Sequence, residues 1–424
     1  MNIFRYPRDR EGIEERRLKN TFDFQDEKSR LVEEIILAVK EEGDRALFRY
    51  TREFDGAELE SLQVSQEEIE EAYRLVGEDY LSSLRKAIEN IASYHEKHRR
   101  ESWFSTEGGM TGQLIIPLVR VGAYVPGGRA AYPSSVVMTV VPAKVAGVEE
   151  VVVVSPPDKE GRLNPYTLVA ARETGADEIY KVGGAQAIAA LALGTESIPR
   201  VDKIVGPGNI YVTLAKKLVY GLVDIDMLAG PSEILILADG TANPDFIAAD
   251  LLSQAEHDPL AVSTLITTDG EVANATLKAV EKQLKNLPKR EIASAALENN
   301  GSIIIVENLE DGFELANRFA PEHFEMMLAE PFKYLGKIKN AGAIFIGDYS
   351  SEPLGDYMAG PNHVLPTGGT ARFASPLNTD DFIKKSSFIY YQKGELAAVK
   401  DDIIRLAELE GLDAHARAIK IRFQ

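Results

Sequence analysis

The chain has 424 residues, 45% of them hydrophobic and 27% charged, which is enough for two or three domains with ordinary globular cores. Its formal net charge of −19 argues against nucleic acid or an anionic membrane as the main partner and leaves a small molecule as the expected ligand. There are no cysteines, so disulfides, thiolate metal sites and covalent thiol intermediates are excluded.

The N-terminus, Met1 to Arg10, is charged and carries no apolar signal core, and no apolar run elsewhere approaches the roughly 18 residues of a membrane helix. The expectation is a cytoplasmic protein. Residues 1 to about 107 read as helical: Leu31, Ile35, Ile36 and Val39 recur at helical spacing, Gly43 ends that segment, and Ser65-Gln66-Glu67-Glu68 has the form of a capping box. His95 and His98 stand among Glu96, Lys97, Arg99 and Arg100 and read as a solvated helix end without chemistry.

From Gly112 the texture changes to short apolar runs alternating with helical segments. Candidate strands are Leu114 to Ile116, Val119 to Val125, Val151 to Val154, Ile179 to Val182, Lys203 to Val205, Glu233 to Leu237, Ser263 to Thr267, Ile303 to Val306 and Ala343 to Ile346. This alternation predicts parallel or mixed sheets sandwiched by helices, in two blocks at about 119–232 and 233–370 with a cleft between them. After about residue 371 the pattern fails. The strand-like Phe388-Ile389-Tyr390-Tyr391 and a charged helix form a tail that cannot make its own core and must pack on another lobe or another subunit.

Three glycine-containing loops follow strands and precede helices: Tyr124 to Ser135, Val182-Gly183-Gly184-Ala185-Gln186, and Gly206-Pro207-Gly208-Asn209. None is a G-x-G-x-x-G fingerprint, but three at the ends of successive strands point to a dinucleotide-sized ligand at the sheet edge. A helix begins at Asn243-Pro244-Asp245 and stops before Pro259; on it Asp250, Gln254 and His257 are spaced four and three apart and share one face. Ser232 offers a hydroxyl in the turn between the blocks, outside any nucleophile-elbow context. Pro321-Glu322-His323 sets a carboxylate beside an imidazole, just before an apolar run. Asp356 and His363 share a Gly/Pro-braced loop, and Glu410 and His415 lie in the tail.

Taken together, the loops around Tyr124, Gln186 and Asn209, with Gly230-Pro231-Ser232-Glu233, Ser253-Gln254-Ala255-Glu256-His257, Pro321-Glu322-His323 and Gly355-Asp356-Tyr357, closely resemble the histidinol dehydrogenase family, in order from about residue 20 to the C-terminus. The resemblance implies a zinc- and NAD-dependent oxidation of L-histidinol to L-histidine by two hydride transfers through a bound aldehyde. It implies that Tyr124, Gln186 and Asn209 bind NAD, that Gln254, His257, Asp356 and His415 bind one zinc per subunit and with it the substrate, and that Ser232, His363 and Glu410 help hold substrate. Glu322 and His323 become the acid/base residues, His323 touching substrate as well. The implied fold is two incomplete Rossmann-like domains (119–232 and 233–370), a helical N-terminal region (1–118) packing on the second, and a small dimerisation tail (371–424) whose Glu410 and His415 reach the partner's site in a homodimer.

A sulfur-free set of His, His, Asp and Gln suits a catalytic zinc that keeps room for substrate. Without cysteine, the aldehyde must be oxidised as its hydrate. Rival readings are a same-family dehydrogenase for another small polyol or amino alcohol, a zinc hydrolase, and a non-catalytic metabolite-binding protein.

Overall fold

The computed structural model describes residues 1–18, 27–127 and 132–424. Gly128, Arg129, Ala130 and Ala131 of the first glycine-containing loop lie outside the described residues. The chain forms two compact units, residues 1–98 with 118–382, and residues 99–117 with 383–424.

The first unit is a mixed α/β structure built on two parallel sheets. One has the strand order Glu178–Lys181, Glu150–Ser155, Arg120–Tyr124, Lys203–Val205, Asp224–Ile225. Its central strands have apolar interiors because helices cover both faces: Val151, Val152, Val153 and Val154 are all completely buried. The chain winds outward from Arg120–Tyr124 in one direction and then crosses back to Lys203–Val205. That reversal lies between two strands whose carboxyl ends lead into the loops at Tyr124 and Gly206, the place where such sheets seat ligands.

The second sheet has the order Asn2–Arg5, Ser302–Ile305, Val262–Thr267, Glu233–Ala238, His323–Met327, Ala343–Ile346, again parallel throughout. Its reversal falls between Glu233–Ala238 and His323–Met327. Two of its strands escape the sequence reading. His323–Met327 is buried at every position, but His323 and Glu325 interrupt the apolar run that would mark a central strand. Asn2–Arg5 lies on the sheet edge, where polar side chains are tolerated, so it carries no apolar signature.

The N-terminal helices correct a further expectation. Only Asn2–Arg5 and the helix Arg10–Leu18 go with the second block. Glu27–Glu42 and Asp44–Tyr50 pack on Gly184–Leu193, Gln66–Leu75 on Pro165–Glu173, and Glu78–Glu96 on Pro133–Ala146, all in the first block. Val32, Ile35 and Val39 are the buried stripe of Glu27–Glu42. The capping box at Ser65 is formed, with Ser65 Oγ accepting from Glu68 N at 3.2 Å and Glu68 Oε2 accepting from Ser65 N at 2.9 Å.

The second unit is a three-stranded antiparallel sheet, Ile383–Tyr390, Met110–Pro117, Trp103–Ser105, with the helices Lys393–Leu409 and Asp413–Lys420. The run Leu114 to Ile116, expected within the parallel series, pairs instead with the tail. The divisions at 118 and 371 shift accordingly: residues 103–117 join the tail, whereas Leu377 and Phe382, both completely buried, stay in the core of the first unit.

Candidate active site

His323 begins the strand His323–Met327 and Glu322 immediately precedes it, so this carboxylate–imidazole pair sits at the amino end of the second sheet rather than at its carboxyl end. The chain arrives there through Ala320, a non-glycine residue at φ 49° that stops the helix Leu309–Phe319 in the left-handed region. Gly342 permits the next strand to close up, since a Cβ there would meet Glu322 O at 2.6 Å.

His323 Nδ1 lies 3.0 Å from the backbone oxygen of Glu233, which heads the adjacent strand. A carbonyl only accepts, so Nδ1 carries the proton and Nε2 keeps its lone pair. That Nε2 is buried without a hydrogen-bond partner, 4.0 Å from Asp356 Oδ1. Glu322 is buried, accepts the Glu233 N–H at Oε2 (2.8 Å), and lies 3.7 Å from His323 Nδ1. Burial pushes the Glu322 carboxyl well above the usual carboxylate range; the Glu233 N–H opposes this, and the carboxylates of Glu233, Asp356 and Glu352 add to it. Glu233 itself is pushed up to about 7 by burial, against the Gly368 N–H that it accepts at 2.7 Å.

The metal-type donors come from two further segments. Asn243 caps the helix Pro244–Ala255 through Asp245 N at 2.9 Å, as its sequence predicts. On that helix Gln254 is completely buried with neither amide atom hydrogen-bonded, and His257 lies exposed just past the helix end. Asp356, on the short helix Glu352–Tyr357, is pushed up to about 6 by burial and then by Glu352, while His323 and His257 hold it down. His363 Nδ1 is 3.9 Å from Asp356 Oδ1, is itself unpartnered, and is lowered to about 4 by burial. Its loop is anchored by Asn362, whose side chain donates to Met138 O at 2.7 Å and accepts from Val364 N at 2.8 Å.

Buried amide and imidazole atoms without partners are costly, and here they gather beside carboxylates that repel one another. A divalent cation relieves both conditions, so these residues fit one. The tightest trio of ionisable donors among the described residues is His323, Glu352 and Asp356, all within 4.8 Å of one another. His257 is outside that trio but close enough to act electrostatically on Asp356 and His363.

A cavity of about 520 Å³ is lined by His323, Asp356 and His363 and, from the helix Glu78–Glu96, by Tyr94 and His95, with His98 beyond the helix end. This overturns the solvated reading of His95: it is completely buried, with both ring nitrogens unpartnered. Asn90 Nδ2 donates to Met358 O at 2.9 Å, bracing the loop between Asp356 and His363 from the same helix. Ser232 is half-buried in a turn whose ends are tied by Gly230 N to Thr367 Oγ1 at 2.5 Å and Gly368 N to Glu233 Oε1 at 2.7 Å.

The nucleotide-type residues gather on the first sheet. Tyr124 ends its strand, and its hydroxyl accepts Gly184 N–H at 3.1 Å, two residues from the buried Gln186, whose Oε1 is unpartnered. Asn209 caps Ile210–Val219, accepting from Tyr211 N at 3.0 Å, and is otherwise exposed. Gly206, at φ 109°, lets the third loop pass so close to Tyr124 that a Cβ would lie 2.2 Å from its backbone oxygen. Glu410 and His415 belong to the second unit and are exposed.

Sequence reasoning missed Glu233 as a holder of both Glu322 and His323, and it missed Glu352 and Glu325. Glu233 lay inside a quoted motif and at the start of a candidate strand, which marked nothing further. Glu352 carried no signal beyond an acidic residue in a helical first turn.

The family model described as histidinol dehydrogenase matches residues 18–423. The histidinol dehydrogenase of Carboxydothermus hydrogenoformans is 59% identical over 395 residues, covering 92% of this chain and 93% of that protein. That of Halalkalibacterium halodurans is 58% identical over 395 residues, covering 93% of each. The crystal structure of histidinol dehydrogenase from Elizabethkingia anophelis superposes with a TM-score of 0.94 at 39% identity, covering 100% of this chain and 98% of that one. The family match, the sequence identities and the fold agree, and the chain belongs to the histidinol dehydrogenase family.

Proposed function

We propose that this protein oxidises L-histidinol to L-histidine through L-histidinaldehyde, reducing two NAD with one zinc ion per subunit, in the last steps of histidine biosynthesis. The observation that carries the reading is the pinned tautomer of His323: its Nδ1–H is held by the Glu233 carbonyl at 3.0 Å, leaving a buried, unpartnered Nε2 aimed toward Asp356. A base so placed can take the alcohol proton, and bound NAD would supply the acceptor for the hydride. Zinc, held by Gln254, His257, Asp356 and His415, would orient the amino alcohol and polarise its oxygen.

Glu322 then has a separate task. It is fixed by the Glu233 N–H at 2.8 Å, and a buried carboxyl of raised proton affinity can accept a proton from water as that water adds to the aldehyde. His323 returns its first proton to the aldehyde oxygen as that water adds, which frees Nε2 to take the proton of the hydrate in the second oxidation. Ser232 and His363 hold substrate, as do Glu410 and His415 from the partner, while Tyr124, Gln186 and Asn209 seat NAD at the carboxyl ends of the first sheet. A homodimer with shared sites is supported by the second unit, which exposes Trp103, Phe104, Ile389 and Tyr390 by more than half of their surface. None of the helices among the described residues is long and apolar enough to cross a membrane.

The test is NAD reduction by the purified zinc-loaded protein with L-histidinol. The expected result is two NADH per histidinol and L-histidine as the product. No turnover, or a halt at the aldehyde after one NADH, would overturn the reading.

A further inference from the structure

Glu352 stands beside His323 and Asp356 with no role yet given to it, and it is almost completely buried, at 2% exposure. It opens the helix Glu352–Tyr357, one turn before Asp356, so the two carboxylates share a helix face. Its Oε2 accepts the Ser253 hydroxyl at 2.7 Å, and Ser253 immediately precedes Gln254. Its backbone N–H donates to Glu325 Oε1 at 2.9 Å, and Glu325 lies two residues beyond His323 on the central strand. One residue thereby ties together the three segments that carry Gln254, His323 and Asp356.

We propose that Glu352 is a positioning residue for the metal centre: clamped by Ser253 and lying within 4.8 Å of the His323 and Asp356 donor atoms, it sets the spacing of the segments bearing Gln254 and Asp356 and adds a fixed negative charge beside the cation. The physical case has two parts. Donors drawn from distant segments hold a cation tightly only if their separation is fixed before it arrives, and a side chain bonded to one segment while rooted in another fixes it. A carboxylate a few ångströms from a divalent cation in a buried site attracts it strongly, even when another residue makes the direct bond. The unpartnered amide of Gln254 and Nε2 of His323 show that the space beside this carboxylate is laid out for a ligand. The inference rests on the metal reading of the site given above.

The experiment is competition for zinc between the full-length protein and a chromophoric chelator, on wild type, Glu352→Gln, Ser253→Ala and Asp356→Ala, with thermal melts of each metal-free protein. Glu352→Gln keeps an acceptor for Ser253 and loses the charge; Ser253→Ala keeps the charge and loses the clamp. The expected outcome is zinc affinity about 10- to 100-fold weaker for Glu352→Gln and several-fold weaker for Ser253→Ala, with metal-free melting temperatures close to wild type. Wild-type affinity in Glu352→Gln overturns the proposal; should that variant not fold, wild-type affinity in Ser253→Ala does so. Unaltered affinity in Asp356→Ala, or no stoichiometric zinc in wild type, is the separate failure of the metal reading itself.

Discussion

Glu233 holds His323 and Glu322 through one peptide plane each: its carbonyl accepts His323 Nδ1–H at 3.0 Å and its N–H donates to Glu322 Oε2 at 2.8 Å. Because both contacts are to backbone, no substitution at position 233 other than proline removes them directly, and the parallel pairing of the two strands fixes their geometry. Glu322 and His323 are thus oriented by sheet register, and the proposed function gives the two different work.

That division predicts different kinetic lesions. Glu322→Gln keeps the acceptor for the Glu233 N–H but cannot take a proton from water, so it should slow histidinal oxidation more than histidinol oxidation. His323→Ala should lower both steps by about 100- to 10,000-fold. Single-turnover rates with each substrate measure this, and equal losses in both steps for Glu322→Gln would remove the distinction.

Zinc should be removable without loss of the fold, because its donors stand on elements already held by the sheets. Chelation is expected to abolish NAD reduction while far-ultraviolet circular dichroism stays unchanged, and zinc should restore activity. Full activity in the metal-free protein would contradict the assignment of Gln254, His257 and Asp356.

His95 gives a prediction about stability and pH. Burial, and then the neighbouring His98, lowers it from 6.5 to about 4. The unfolded chain therefore binds this proton before the folded chain does, so the contribution to stability is intact above pH 6.5 and is lost as pH falls toward 4. The full swing is about 3 kcal/mol. His95→Phe retains a ring against Tyr94 and His98 but does not titrate, so denaturant unfolding should show stability declining less steeply over this window than in wild type. Parallel curves for the two proteins would show that His95 is not a buried neutral imidazole.

The proposed sharing of sites is tested by mixing inactive parents. A His323→Ala subunit and a His415→Ala subunit in one dimer place both defects in one site and neither in the other. Random remixing in equal amounts should restore about a quarter of wild-type activity, since half the dimers are mixed and each has one good site. No recovery, with subunit exchange verified by differently tagged chains, would put His415 in its own subunit's site or outside the chemistry.

Much was legible in the sequence because it depends on local rules. Short apolar runs and period-3.6 patterning marked most of the parallel strands and their helices, and Asn243 and Ser65 announced their caps. What tertiary structure decided was everything set by which surfaces meet. His323–Met327 became a central strand although two polar residues break its apolar run, since its neighbours on both sides supply the burial. The stretch 103–117 left the N-terminal region to pair with the tail, and the helices of residues 27–96 covered the first sheet, choices that an amphipathic pattern cannot make because it encodes a buried face without naming the partner. His95 looked solvated beside charged sequence neighbours and is buried, since a helix puts successive residues on different faces. The strands that start at Glu233 and His323 likewise bring their first residues side by side, a juxtaposition that exists only once residues 90 apart in sequence are paired.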